Sequence, residues 1–499
     1  MLENFYALLG GLQTALQWHN LLFAFLGCTI GTLIGVVPGI GPVAGTAILL
    51  PIAATMEPAT AIIMLAAIYY GAMYGGTITS VLMNVPGEAA SAITCIDGHE
   101  MAKQGRGGAA LTVAALGSFV GGSFATIGLV FVAGGLAALG LRIGPPEFFA
   151  IILVGLALIV GMAGASLRLT LISAIIGLFI GMVGLDPVLG VPRFTFGRVE
   201  LLGGVSLATL AMGIFGVSEV LANIERAVVG ARLERVGSLR VTRTDLKTSA
   251  MPVARGTLVG FVLGIVPGMS AVVSTVVSYT MEKLLSRTPA RFGKGAIEGV
   301  AGPETANNAH ANAALIPLFS LGIPGSPTVA ILMGGFLMQG LTPGPFIFQT
   351  DPDIAWAIIA SLFVGNIILL GLNIPLVPIW VRLMSVPQTI LMPLILLFCV
   401  IGVYSVEGSV FDVWLLLIFG LAGYLMRKVN IPVAPILICA VLGPLMEQAL
   451  RQSLEISRGS FDIFLTRPLT LSFIVIAFAI IVLSSLRIAK PLRGADSEI

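Results

Sequence analysis

The chain reads as long apolar runs separated by short polar or Gly/Pro-rich interruptions. Apolar runs occupy residues 20–56, 58–83, 109–139, 146–163, 167–185 and 201–224. After a charged interval they resume at 256–281, 353–380, 387–405, 411–426, 431–450 and 469–486. A straight membrane-crossing helix needs about 20 apolar residues, and lipid admits only structures whose backbone bonds are satisfied internally. The pattern therefore predicts an all-α polytopic membrane protein with roughly 10–12 transmembrane helices. Two runs are cut inside, at Val37-Pro38-Gly39-Ile40-Gly41-Pro42 and at Val266-Pro267-Gly268. Each half of the first is too short for a straight crossing, so broken or re-entrant helices are expected there. Residues 1–20 look like an amphipathic leading helix without the basic n-region of a cleavable signal peptide.

One stretch does not fit a simple span. Residues 295–345 are apolar and Gly-rich, yet they carry Glu298, Glu304, Asn307, Asn308, His310 and Asn312 before a Gly322-Ile-Pro-Gly325 break. Polar groups at membrane depth are costly and point to a functional site. Glu304, Asn307 and Asn308 are the strongest candidates, being three polar groups within five residues. His310 could serve either a pathway or packing. Asp97 and Glu100 read as membrane-edge residues, and His19 as interfacial.

Charge sets orientation. Residues 225–247 hold Arg226, Arg232, Arg235, Arg240, Arg243 and Lys247, which places this segment in the cytoplasm. It divides the chain into an N-terminal transmembrane half, 1–225, a linker, 226–250, and a C-terminal transmembrane half, 251–499. Arg427-Lys428 and the tail with Arg487, Lys490 and Arg493 also read as cytoplasmic, which makes 451–467 external.

The two halves share a signature. Gly31-Thr-Leu-Ile-Gly35-Val-Val-Pro38-Gly39 matches Gly260-Phe-Val-Leu-Gly264-Ile-Val-Pro267-Gly268, an offset of 267 − 38 = 229. Val85-Pro86-Gly87 matches Ile323-Pro324-Gly325, an offset of 324 − 86 = 238. Paired Gly/Pro interruptions in two halves are the sequence pointer to a transporter's binding site. The halves are expected to be pseudo-symmetric repeats. Whether they are parallel or inverted depends on the number of crossings per half, and inverted is preferred.

A Pro-Gly break leaves two half-helices meeting inside the membrane. Their N-terminal ends suit a carboxylate, and their C-terminal carbonyls suit a cation. The expected substrate-binding residues are Pro38, Gly39, Asn84, Pro86, Gly87, Pro267, Gly268, Glu304, Asn307, Asn308, Pro324, Gly325 and Ser326. A Na⁺ position is expected near Asn312 and Gly322. No catalytic residue and no cofactor is assigned.

Composition agrees with this class and excludes others. The 499 residues are 57% hydrophobic and 10% charged, with a mean hydropathy of +1.04. The net charge of +2 gives no sign of nucleic-acid binding. Cys28, Cys95, Cys399 and Cys439 lie far apart, with no disulfide framework or metal spacing. His99-Glu100 is followed by Lys103 where a zinc protease needs its second His. No phosphate-binding Gly-rich loop and no nucleophile–base pair in the spans is evident, which leaves an intramembrane enzyme the least supported reading.

The breaks also carry a resemblance. Gly35-Val-Val-Pro-Gly-Ile-Gly41, Tyr74-Gly-Gly-Thr77, Leu82-Met-Asn-Val-Pro-Gly87, Asp97-Gly98 with Lys103-Gln-Gly105-Arg106, Pro303-Glu-Thr-Ala-Asn-Asn308 and Leu315-Ile-Pro317 to Leu321-Gly-Ile-Pro-Gly325 resemble the large membrane subunit of the tripartite tricarboxylate transporters. The resemblance covers about residues 15–485. It implies a bacterial inner-membrane secondary transporter, working with a small transmembrane subunit and a periplasmic solute-binding protein. It further implies carboxylate uptake driven by Na⁺ or H⁺, with the Pro-Gly loops and the Asn-rich stretch lining the sites. A passive anion channel is the competing reading.

Overall fold

The computed structural model describes residues 2–37, 39–140, 143–162, 166–186, 189–225, 234–384 and 386–488. Helices dominate, as lipid requires of an open chain. Among the described residues, eight are long and apolar enough to cross a membrane: Trp18–Val36, Pro58–Met83, Gly107–Val132, Leu207–Glu225, Pro352–Asn373, Thr389–Glu407, Val410–Lys428 and Ala434–Ile456. Five shorter apolar helices accompany them, among them Gly41–Ala54 and Pro327–Met338. The expected polytopic all-α architecture is thus present, with several spans shorter than the apolar runs suggest. One two-stranded hairpin pairs Gly184–Leu185 with Pro192–Arg193.

The centre of the molecule is two helices. Pro58–Met83 is buried along its apolar length, and Glu298–Ala313 is buried from Gly299 to its end despite its polar sequence. Each is covered by a glycine-lined neighbour. On the first, a Cβ at Gly27, Gly31 or Gly35 of Trp18–Val36 would run into the backbone carbonyls of Met64, Ile68 and Ala72. On the second, a Cβ at Gly256, Gly260 or Gly264 of Arg243–Gly264 would run into those of Gly302, Ala306 and His310. Small residues let membrane helices approach backbone to backbone, where dispersion replaces the missing hydrophobic drive. The two sets of contacts keep the sequence offsets: 260 − 31 = 229 on one helix and 306 − 68 = 238 on the other.

The halves are stitched together by buried polar contacts. Asp97, on helix Ala92–Lys103, is fully buried in protein. Its carboxylate accepts from the Tyr279 hydroxyl at 2.9 Å and from the N–H groups of Gly293, Gly295 and Ala296 at 2.8–2.9 Å. Helix Arg243–Gly264 begins inside the charged segment, at a capping box formed by Thr242 and Asp245. Arg106 reaches Asp245 at 2.6 Å. At the periphery, Thr389–Glu407 and Val410–Lys428 leave Leu397, Phe398, Trp414 and Leu421 exposed, a surface suited to lipid.

Candidate functional site

All four Gly/Pro interruptions break helices in the structure. Trp18–Val36 and Gly41–Ala54 are separate helices. Between them Gly39 has φ +92°, a left-handed backbone that favours glycine; Pro38 lies outside the described residues. Pro58–Met83 ends at Asn84, whose φ of 55° turns the chain out of the helix. Arg243–Gly264 stops before Pro267, and Gly268 has φ +80°. Leu315–Leu321 ends at Gly322, φ +68°, and Pro327–Met338 begins after Ser326.

The breaks are held against one another. The Gly268 N–H donates to the Gly325 carbonyl at 3.1 Å. Gly87 packs so closely on the Gly35 carbonyl and the Gly76 Cα that a Cβ would have no room. Asn223 donates through Nδ2 to the Gly39 carbonyl at 3.1 Å, which ties the first break to helix Leu207–Glu225. That helix widens to π geometry over Met212–Val217, a local form common at functional sites.

Together the four breaks wall a single cavity of about 710 Å³. Gly39, Pro86, Gly87, Gly268, Gly325 and Ser326 line it. So do the first residues of four helices: Gly41–Ala54, Ala271–Leu285, Pro327–Met338 and Ala434–Ile456. A helix start presents N–H groups without helical partners and a partial positive charge. Ser270 and Ser326 each cap one start, accepting from the N–H groups of Val272 and Val329 at 3.3 Å. The remaining polar wall is Tyr69, Glu88, His310, Thr328 and an ion pair between Arg427 and Glu219. His310 Nδ1 lies 2.8 Å from the Ser274 hydroxyl. Four helix starts on the wall of one largely apolar cavity are an arrangement suited to a small anion.

Apart from His310, the polar residues of the Asn-rich helix stand behind this wall rather than in it. Glu304 accepts from the hydroxyls of Thr77, at 2.6 Å, and Thr94. Asn308 donates to Ser118 Oγ at 2.7 Å and to the Glu304 carbonyl at 3.2 Å. Asn312 donates to the Asn308 carbonyl at 3.1 Å. Asn307 alone points towards the cavity's edge, its Nδ2 donating to Glu88 Oε1 at 2.5 Å. Asn84, Pro267 and Pro324 shape the breaks without lining the cavity. Around Asn312 and Gly322, as elsewhere among the described residues, no group of three His, Cys, Asp or Glu side chains converges as a metal site.

Asn308 can therefore be separated from binding. Asn308→Ala removes the amide bonds to the Ser118 hydroxyl and the Glu304 carbonyl, leaving that hydroxyl only its 3.4 Å bond to the same carbonyl, at a cost of about 0.5–1.5 kcal/mol per lost bond. The expected result is a lower melting temperature of the detergent-solubilised protein, with substrate affinity changing less than twofold to about threefold. A large affinity loss at unchanged melting temperature would return Asn308 to the binding wall.

Sequence reasoning passed over several wall residues. Glu88 follows a Pro-Gly break directly, which was the available signal. Tyr69 sits inside an apolar run, and Arg427 reads as a cytoplasmic flank; neither shows by sequence that it faces a cavity.

Comparison with known proteins fits this geometry. The family model described as tripartite tricarboxylate transporter TctA family matches residues 21–438. A relative from Agrobacterium vitis, described as an uncharacterized 52.8 kDa protein in the TAR-I ttuC' 3' region, is 44% identical over 477 residues, covering 95% of both chains. A second from the same organism, described as an uncharacterized protein in the TAR-II ttuC' 3' region, is 44% identical over 227 residues, 46% of this chain and 94% of its own. The chain is a multi-pass membrane protein that belongs to the tripartite tricarboxylate transporter TctA family.

Proposed function

We propose that the chain is the membrane-spanning transport subunit of a binding-protein-dependent secondary transporter that imports a di- or tricarboxylate by symport with Na⁺ or H⁺. The carrying observation is the convergence of four helix breaks and four helix starts on one cavity. In transporters such broken helices hold substrate near the membrane midplane. The paired breaks read as two inverted repeats that rock about that cavity. Family membership supports a three-part assembly; the partners are a small transmembrane subunit and a periplasmic solute-binding protein, in the bacterial inner membrane. Glu219 and Arg427 lie near helix ends that lead into basic segments, so on the positive-inside rule the cavity opens to the cytoplasm.

The test is uptake of radiolabelled citrate, malate and succinate into proteoliposomes holding the chain and its small partner, with binding protein added outside. An inward Na⁺ or proton gradient is expected to drive accumulation above the external concentration. Uptake that equilibrates and ignores both gradients would replace the symporter with a passive anion channel.

A further inference from the structure

We propose that Glu88 is the coupling-cation site: a proton or Na⁺ neutralises its carboxylate when a carboxylate substrate occupies the cavity. The inference rests on the transport reading above and names the residue that links the two gradients. Glu88 lies on the cavity wall beside Gly87 and Ala89, with Tyr69, His310 and Ser326 on the same wall. Among the described residues no Lys, Arg or His pairs with it, and Arg427 of that wall is engaged by Glu219.

What does meet Glu88 is an amide. Asn307 Nδ2 donates to Glu88 Oε1 at 2.5 Å, while Oδ1 of the same wholly buried side chain has no hydrogen-bond partner. The amide that holds Glu88 thus carries a buried acceptor oxygen whose own partner is missing. A bound Na⁺ would complete such a set with hard oxygen ligands, and a proton on Glu88 would supply the missing donor. One helical turn from Asn307, Glu304 accepts from the hydroxyls of Thr77 and Thr94 and adds a second acidic group with no ion pair among the described residues.

Glu88 also caps the turn Ala89–Ser91, its side chain accepting from the Ser91 N–H, which supplies a partial positive charge but no full one. The other groups near it are Tyr69 from Pro58–Met83 and Asn307, Glu304 and His310 from Glu298–Ala313. Helix Ala271–Leu285 packs here too, but its Tyr279 and Glu282 are turned to Asp97 and Arg255. A carboxylate about 6 Å from an ionised Glu88, at an effective dielectric of about 20, would lose roughly a hundredfold in affinity. Anion and cation are therefore expected to bind together, which is the thermodynamic requirement for symport.

The experiment uses the assembled complex with citrate, malate and succinate as probes. In the wild type, binding is expected to tighten about tenfold or more as either Na⁺ or protons are raised, each varied with the other held low. Glu88→Gln is expected to bind without that response, and to equilibrate substrate without accumulating it under the gradient that drives the wild type. Glu88→Asp is expected to retain part of the response. Asn307→Ala is expected to weaken the apparent cation affinity about tenfold, and it decides the matter if Glu88→Gln does not fold. Gradient-driven accumulation by folded Glu88→Gln, or an unaltered cation affinity in Asn307→Ala, overturns the assignment. Wild-type failure to accumulate any probe under either gradient would instead overturn the transport reading itself.

Discussion

Gly87→Ala is expected to yield little or no folded transporter, a drop of about tenfold or more in the monodisperse peak on size-exclusion chromatography. The new Cβ would run into the Gly35 carbonyl oxygen and the Gly76 Cα, with Thr79 Oγ1 at 2.9 Å. Two of these obstacles are helix backbone, which cannot rotate aside as a side chain can. Ordinary overpacking of a core costs about 1–3 kcal/mol. Here relief requires parting Trp18–Val36 from Pro58–Met83, and with it the contacts of Gly27 and Gly31 along the same seam. Gly325→Ala is expected to behave alike, since its Cβ would meet the Ala314 carbonyl at 2.6 Å. Gly203→Ala is the control, because nothing lies within 4 Å of its Cβ position. Normal yield and uptake from Gly87→Ala would show that the two breaks are not held by backbone contact.

The seam explains why much of the fold was legible. Apolar length located the helices: the run at 58–83 is helix Pro58–Met83, and 411–426 lies within Val410–Lys428. Proline and glycine located the breaks, because those residues constrain the backbone whatever surrounds them. Span number was less legible. Pro327–Met338 has 12 residues, about 18 Å long, so its apolar run packs inside protein rather than crossing lipid unaided. The direction of polar side chains was the least legible feature. Polarity in an apolar run announces that a residue must find partners, not which partners it finds. Glu304 and Asn308 find Thr77, Thr94 and Ser118 on neighbouring helices, and these buried bonds satisfy them without a ligand. Glu88 was overlooked for the opposite reason. It lies in the short polar interval after a break, where a charged residue looks like ordinary loop, until the fold turns that interval into a cavity wall.

The anion-binding reading predicts a change that spares the fold and removes the function. Ser270 and Ser326 cap helices Ala271–Leu285 and Pro327–Met338, and both line the cavity. Aspartate is as good an N-cap as serine, and its charge favours a helix start. Ser326→Asp and Ser270→Asp should therefore keep or slightly raise the melting temperature. In the cavity, however, each places a fixed negative charge where the helix ends would otherwise attract a carboxylate. At about 6 Å and an effective dielectric of about 20 the repulsion is about 3 kcal/mol, so citrate, malate or succinate uptake is expected to fall about a hundredfold at subsaturating substrate. Asparagine at the same positions caps the helix without the charge, and Ser326→Asn and Ser270→Asn are expected to lose far less. Raising salt should recover more of the loss at exposed Ser270 than at partly buried Ser326, because screening acts mainly on exposed charges. Equal uptake by the aspartate and asparagine variants would mean that substrate charge is not read at these helix ends. The four converging starts would then be a feature of the broken-helix architecture alone, not the source of carboxylate binding.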